Sequence, residues 1–560
     1  MLFYFYTACS ILAVFISSSN GLTSRPRQHH HDVVIYGGTS GGFAAAIQLS
    51  RLNRSVALVE PSNHIGGIAV DGFGATDLDS QAEYQNSRAV GSLALEFYRR
   101  ISIRYGNVEA FDAGWATHTK NKLLWRFESH VAESVLQDWL AEEKIDIFRG
   151  QYLKQTGTNV KKNKAAIKSI FTEQGDVFSG RIFIDATYEG DLLAAAGVST
   201  TIGRESSATF NETNGGVRVN TTFSQLTVPV DPYVVVGDPS SGLIPTVQDE
   251  PLGAPGSGDK NLAAYVFRMC LTNVTSNLVP FTKPANYNAT EYLLWSRYVA
   301  AGGEILTPEL VVPNSKTDTI GSTTLGLGFD LPGRTLAYPE GNWATRQSLI
   351  HSLAEWQKGQ LYFFANDPSM PNKTREVWST YGYAKDEFID NDHFPRKFYV
   401  RDGRRMVKNN FVISARTAAH PPVEPAAKDP IAVAFWPTDV HIARRIVKDG
   451  SVYDEGSIFK QGPPWQPFGI SYQAITPMRQ EATNLMSPTV MAVSHLGYGA
   501  VRIENTFMNV GQAAAFASSV ALDMGIAVQD VPYSKLGPKL IRSGAVVDAS
   551  TVGLPDNTGL

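Results

Sequence analysis

Two groups of residues have the types and spacing that chemistry needs. The first is Gly37-Gly38-Thr39-Ser40-Gly41-Gly42, preceded by the apolar strand 32–36 and followed by a second strand, 55–59, that ends at Glu60. This pattern fits the first βαβ unit of a dinucleotide-binding domain. Gly37 permits a tight turn, and Gly42 lets the helix over 43–52 pack close to the sheet. The helix start, with Gly38, Thr39 and Ser40, turns free N–H groups and a positive dipole end toward a pyrophosphate. A carboxylate at Glu60 can bond a ribose 2′-hydroxyl, which favours FAD or NAD over NADP. Thr39 departs from the G-x-G-x-x-G pattern at its middle position, and a glycine-rich turn in some other α/β domain is the alternative. Gly66-Gly67, soon after Glu60, would admit backbone amides to a second part of a longer cofactor, favouring FAD over NAD.

The second group is His495, Arg502 and Glu504. Flavin oxidation needs a base for the substrate proton, and donors that hold the substrate and the charge of reduced flavin. His495 is the first candidate base, with a hydrogen-bonded core histidine as the alternative. Arg502 and Glu504 alternate on a segment expected to be extended, where they would form an ion pair or orient a polar substrate. Gly511 and Gln512 lead into an Ala-rich helix expected over 513–524, whose N-terminus would face the flavin N1/C2-carbonyl edge. Ala186 and Tyr188, with Glu189, follow a strand end where Rossmann ligands bind. Arg405 and His441 are candidate substrate contacts. His64, beside the Gly-Gly turn, suits a hydrogen bond better than a covalent flavin link, so FAD is expected to be non-covalent.

The elements that must position these residues indicate an α/β (α+β overall) fold: a discontinuous Rossmann-type FAD-binding domain with an inserted substrate or cap domain. The first part runs over 32–202, the insertion over 203–471 and the C-terminal part over 472–540. Helices are expected over 84–105 and 130–143, and strands over 145–148, 166–171, 177–183 and 485–493, with a turn at 495–498. The insertion carries long Pro/Gly/Ser-rich loops and many aromatic residues, most of which suit core packing.

At 560 residues, 43% hydrophobic and 11% aromatic, the chain can bury a large core and exceeds one ordinary domain. A net charge of −4 gives no electrostatic case for nucleic acid. The apolar run 2–16, followed by small residues, reads as a signal peptide over 1–21, so no stable membrane anchor is expected after its cleavage. Sequons at Asn53, Asn211, Asn220, Asn273, Asn288 and Asn372 agree with a secreted or secretory-pathway glycoprotein. Removal of Cys9 with the signal leaves Cys270, which suits a buried hydrophobe and allows no intramolecular disulfide. No metal-ligand spacing is seen, and His29-His30-His31 reads as part of a polar N-terminal tail.

The chain resembles the FAD-dependent oxidoreductase family whose bacterial members are often labelled xanthan lyases. The resemblance covers almost all of the mature chain. It rests on the segments 34–39, 64–67, 72–77 and 128–132, on Asp185-Ala186-Thr187-Tyr188-Glu189-Gly190-Asp191-Leu192, and on Arg404-Arg405-Met406, Asp439-Val440-His441, Ser494-His495 and 508–514. Thr39 is normal in that family. The resemblance implies FAD and a two-domain flavoprotein but no particular substrate, and no residue here supports the lyase label.

The expected function is therefore oxidation of a small organic substrate (a sugar, alcohol or secondary metabolite) by hydride transfer to flavin N5, with oxygen or a quinone as acceptor. A flavin-containing lyase or isomerase without net redox, and a non-catalytic flavin binder, are the alternatives. A cytosolic monooxygenase is disfavoured by the signal and by the lack of a second nucleotide fingerprint.

Overall fold

The computed structural model describes residues 26–82, 84–320, 326–418, 426–459 and 466–552. The expected signal peptide lies outside the described residues. Six strands build the main sheet: β1 (Gln28–Tyr36), β2 (Val56–Val59), β3 (Asp146–Phe148), β4 (Val160–Asn163), β5 (Ala166–Phe171) and β6 (Val177–Asp185). Their order is β3-β2-β1-β6-β5-β4. The first four are parallel, with Ile35 opposite both Leu58 and Ile184, whereas β5 and β4 form an antiparallel ribbon along the first half of β6. Leu485–Met486 adds a parallel strand beside the second half of β6. The chain therefore leaves this sheet after β6 and returns to it about 300 residues later, as a discontinuous Rossmann-type α/β fold does.

β1 starts earlier than the apolar pattern implies. Gln28 to His31 pair with Val177 to Gly180, and His29 stacks on Phe178 with ring centroids 4.7 Å apart. The His run is thus strand, not tail. Its pairing is set by the length of β6, which local hydropathy does not report.

Helix α1 (Ser40–Arg51) follows β1, and its first ten residues are buried. Next come α2 (Ser92–Arg104), α3 (Val108–Ala116), α4 (Ser129–Glu142) and the short α5 (Asp191–Ala195). The helix expected over 84–105 begins only at Ser92, because 86–89 form a separate 3-10 turn. The intervening region contains α6 (Leu293–Ala300), α7 (Trp343–Asn366), α8 (Asn372–Trp378) and several two- and three-residue strands. Its aromatic residues are mostly core: Trp295 lies 5.4 Å from Trp356, and Phe364 lies 5.1 Å from Trp378. Cys270 is buried against Ala384 and Phe388, and burial raises its thiol pKa.

Three C-terminal helices complete the fold: α9 (His495–Val501), α10 (Glu504–Met524) and α11 (Tyr533–Arg542). The expected turn at 495–498 is instead the first part of α9, capped by the Ser494 hydroxyl, which accepts the Gly497 N–H at 2.9 Å. Of the strand expected over 485–493, only Leu485–Met486 forms. The helix expected from residue 513 starts at Glu504 and is buried on every side through Leu522. Gly511 lies two turns inside it. A Cβ there would stand 2.1 Å from the Gly41 carbonyl oxygen, so this glycine lets α10 cross α1 at close range.

Candidate functional site

The turn after β1 opens an uncapped helix end. Gly37 has φ +105°, and a Cβ there would meet the Thr187 nitrogen at 2.5 Å. Gly42 is equally constrained, with its Cβ position 2.0 Å from the Gly37 carbonyl oxygen. Thr39 is the N-cap residue of α1, but its hydroxyl makes no cap. It donates instead to the Ala186 carbonyl at 2.6 Å. This accounts for a threonine at the middle glycine position: the side chain turns toward the end of β6. The first-turn amides of α1 are left for a ligand, and the helix end favours an anion.

Gly37 and Thr39 line a cleft beside this turn. Glu60 and Tyr188 line it too, as do Tyr338 and Lys397 from the intervening region. The Glu60 carboxylate accepts the Gly38 N–H at 2.6 Å and both the N–H and hydroxyl of Ser62, at 2.8 and 2.6 Å. Burial raises its pKa, but Lys397 and these hydrogen bonds outweigh that and hold the pKa below the usual carboxylate value. An ionised acid at the end of β2, next to an uncapped helix N-terminus, is the donor set that a ribose–diphosphate requires. The residues present therefore fit FAD: the first turn of α1 would meet its diphosphate and Glu60 its ribose.

Gly66 and Gly67 both take positive φ, +121° and +59°. The turn they make sends the Ile68 N–H to the Tyr188 hydroxyl at 3.1 Å, and that hydroxyl donates to the Glu504 carboxylate at 3.0 Å. Ser40, fully buried, sits against the same carboxylate without a well-aligned hydrogen bond. Glu504 therefore joins the N-termini of α1 and α10 to the Gly-Gly turn. Burial lifts its pKa to about 7. Tyr188 and Glu504 are thus brought together with Ser40 and Gly67. Gln512, by contrast, bonds Gln48 and Ser92 at the helix crossing. Gly511 and Gln512 lie inside α10 rather than at its N-terminus, because that helix starts earlier than the Ala-rich stretch.

Arg502 and Glu504 neither share an extended face nor pair with each other. Arg502 closes α9 and Glu504 opens α10, with Ile503 alone extended between them. The Arg502 guanidinium donates to the Tyr399 hydroxyl at 2.9 Å and pairs with Asp439 at 3.0 Å. On the other side of Asp439 stands His441. Its Nδ1 lies 2.6 Å from Asp330, whose other oxygen holds Arg401. Its Nε2 faces Asp439 at 3.8 Å, beyond hydrogen-bond reach. Burial and Arg401 lower the His441 pKa against the pull of Asp330, so the ring stays neutral near neutral pH and can accept a proton. Spacing could not foretell this pair, because residues 330 and 441 are brought together only by the fold.

His495 lies elsewhere. Its backbone N–H donates to Glu205 at 3.0 Å, and its ring nitrogens are buried without an aligned partner, although Nδ1 is 3.0 Å from Asp402. Arg405, fully buried, pairs with the same two acids, at 2.9 Å to Asp402 and 2.7 Å to Glu205. His495 and Arg405 thus share Asp402 and Glu205 as partners. His64 has a carboxylate at each ring nitrogen, Glu133 at 2.7 Å and Asp390 at 2.9 Å. The six sequon asparagines, Asn53, Asn211, Asn220, Asn273, Asn288 and Asn372, are all exposed. Among the described residues, no helix is long and apolar enough to cross a membrane.

A family model described as FAD dependent oxidoreductase matches residues 32–540. No curated protein matches significantly. Among solved structures, the chain is similar to an L-proline dehydrogenase from P. horikoshii, at 17% identity over 32% of this chain and 59% of that one, with a TM-score of 0.24. It is also similar to an L-amino acid deaminase from Proteus vulgaris, at 16% identity over 33% and 61% of the two chains, with a TM-score of 0.22. A third is thioredoxin reductase from T. acidophilum, at 17% identity over 28% and 36%, with a TM-score of 0.17. The match covers less than two thirds of each of these structures, and it bears on no substrate. The family match takes in both the cleft and the returning C-terminal helices, and on it the chain belongs to the FAD dependent oxidoreductase family.

Proposed function

We propose that this oxidoreductase is secreted and oxidises a small organic molecule such as a sugar, an alcohol or a secondary metabolite, with oxygen or a quinone as final acceptor. The observation that carries this reading is the cleft in which Thr39 leaves the start of α1 uncapped beside an ionised Glu60. FAD, when bound, supplies the hydride acceptor, flavin N5. Gly37, Gly38, Thr39, Ser40, Gly42 and Glu60 would hold its adenosine-diphosphate half; Gly66, Gly67, Ala186 and Tyr188 would follow along the cleft. Both ring nitrogens of His64 face carboxylates, which supports a non-covalent cofactor. Residues 203–471 would form the substrate side.

Proton removal from the substrate falls to a histidine. His441 meets the geometric requirement better than His495, because Asp330 fixes its Nδ1 and leaves Nε2 to take the proton. Arg502, held by Tyr399 and Asp439, would position a polar substrate, and Glu504 would hold a proton at the junction of α1 and α10. Exposure of all six sequons supports passage through the secretory pathway.

The test uses protein recovered from the culture medium, where deglycosylation should raise its gel mobility. Its absorbance is followed after photoreduction and mixing with oxygen. Rapid return of an oxidised flavin spectrum means an oxidase, whose substrates can then be screened by peroxide release. Slow return means a dehydrogenase that needs a partner acceptor. A protein that takes up no flavin sinks the proposal.

A further inference from the structure

We propose that Lys397, from the region between β6 and the returning C-terminal strand, is the counter-ion of the FAD diphosphate, so that this region forms part of the cofactor site. The inference rests on the FAD reading of the cleft. Lys397 lines the same cleft as Gly37, Thr39 and Glu60, and its Nζ lies 3.2 Å from Glu60 Oε1.

The backbone at this point is fixed from both sides. The buried carboxylate of Asp71, in the loop after the Gly-Gly turn, accepts the N–H groups of Arg396 and Lys397 at 3.0 and 2.9 Å. Arg396 is tied to Asp390 at 2.6 Å. Phe398 packs against Tyr338 with ring centroids 4.6 Å apart, and the Tyr399 N–H reaches the Val266 carbonyl. The ammonium is therefore delivered to the cleft by a held segment, with only its own side chain left to adjust.

The charges around it call for an anion. Arg346, the other cation lining the cleft, is committed to Asp191 by two hydrogen bonds of 2.6 and 2.7 Å and to two backbone carbonyls. The Lys397 ammonium makes one hydrogen bond among the described residues, and its acceptor, Glu60, already receives three others. Two of the three ammonium protons are thus uncommitted. A diphosphate brings two negative charges into a cleft that Glu60, Glu189 and Asp191 already make acidic. The end of α1 offers roughly half a positive charge, too little to balance them. The lysine beside the ribose acid supplies a full one.

The test measures binding, not turnover. The full chain is stripped of flavin and titrated by calorimetry with FAD, ADP and adenosine, for wild type, Lys397→Met and Lys397→Arg. Lys397→Met should weaken FAD and ADP at least about tenfold while leaving adenosine within twofold, and Lys397→Arg should recover most of the ADP affinity. Raising the salt should weaken ADP binding to the wild type more steeply than to Lys397→Met. Equal losses for ADP and adenosine would overturn the proposal, since they would make Lys397 a partner of Glu60 at the ribose or a purely structural residue. So would an Arg variant that is folded yet as weak as Met. A wild-type chain that binds neither FAD nor ADP would overturn the cofactor reading itself, a result distinct from these.

Discussion

Glu504 is a buried acid joined to the cofactor cleft through the Tyr188 hydroxyl. Fully buried at the start of α10, it has a pKa near 7, where a glutamate ordinarily titrates at 4.5. Burial is the main cause, and the hydroxyls of Ser40 and Tyr188 only partly offset it. Between pH 4.5 and 7 the folded state therefore keeps a proton that the unfolded state has released, so stability falls as pH rises through that window. Glu504→Gln should abolish this part of the fall. Relative to the wild type, the variant should gain on the order of 3 kcal/mol between pH 4 and pH 8. Denaturant unfolding of the flavin-free full chain at both pH values measures it, and parallel pH profiles for the two proteins would remove Glu504 from this role. Glu60 and Gly42 were legible in the sequence because their work is local: one ends a strand, the other opens a helix. The environment of Glu504 was not, since Tyr188 and Ser40 reach it from 316 and 464 residues away in sequence.

At the scale of elements, α10 shows why a correctly placed helix can still be misjudged. Its alanine-rich second half announces it, while Glu504 to Val510 look like a loop because they carry Asn, Thr and a glutamate. Those polar residues are buried by other elements; Asn509, for example, donates to the Ala89 carbonyl at 3.1 Å. The run 485–493 erred in the opposite direction, since an apolar stretch without periodicity reports burial and not conformation. Ser494 with Gly497 did carry a readable cap signal for α9. The crossing of α10 over α1 depends on Gly511. Gly511→Ala would place a methyl 2.1 Å from the Gly41 carbonyl oxygen, in backbone that cannot yield without moving the first turn of α1. A loss of about 1–3 kcal/mol is expected in denaturant unfolding. The same displacement should lower flavin occupancy after purification, because the shifted turn is the one that would meet the diphosphate. Full occupancy with unchanged stability would show that the crossing tolerates more space than the structure gives it.

The molecule as a whole is joined across its halves by buried charge. Lys316, fully buried, places its ammonium 2.5 Å from Glu128 at the start of α4, 2.8 Å from Asp386 and 2.9 Å from Glu387. His130 lies 2.8 Å from the same Glu387 oxygen. Glu128, His130 and Glu387 are a possible metal-ligand set by type, yet the lysine ammonium already pairs with both glutamates. No sequence spacing points to this cluster, because its members come from residues 128–130, 316 and 386–387. Burial alone would lower the lysine pKa, but the three carboxylates reverse that and hold the ammonium charged. Lys316→Met would leave Glu128 and Glu387, 2% and 0% exposed, without their cation. Breaking a buried pair from one side costs about 3–5 kcal/mol, since the remaining charges cannot be hydrated. The variant should therefore unfold at lower denaturant than wild type. Because α4 packs under the Gly-Gly turn through Leu136 beside Gly66, loosening this junction should also loosen the cleft. Flavin release on dilution should then be faster in the variant than in wild type. An unchanged release rate with reduced stability would confine the cluster to holding the fold, with no bearing on the cofactor.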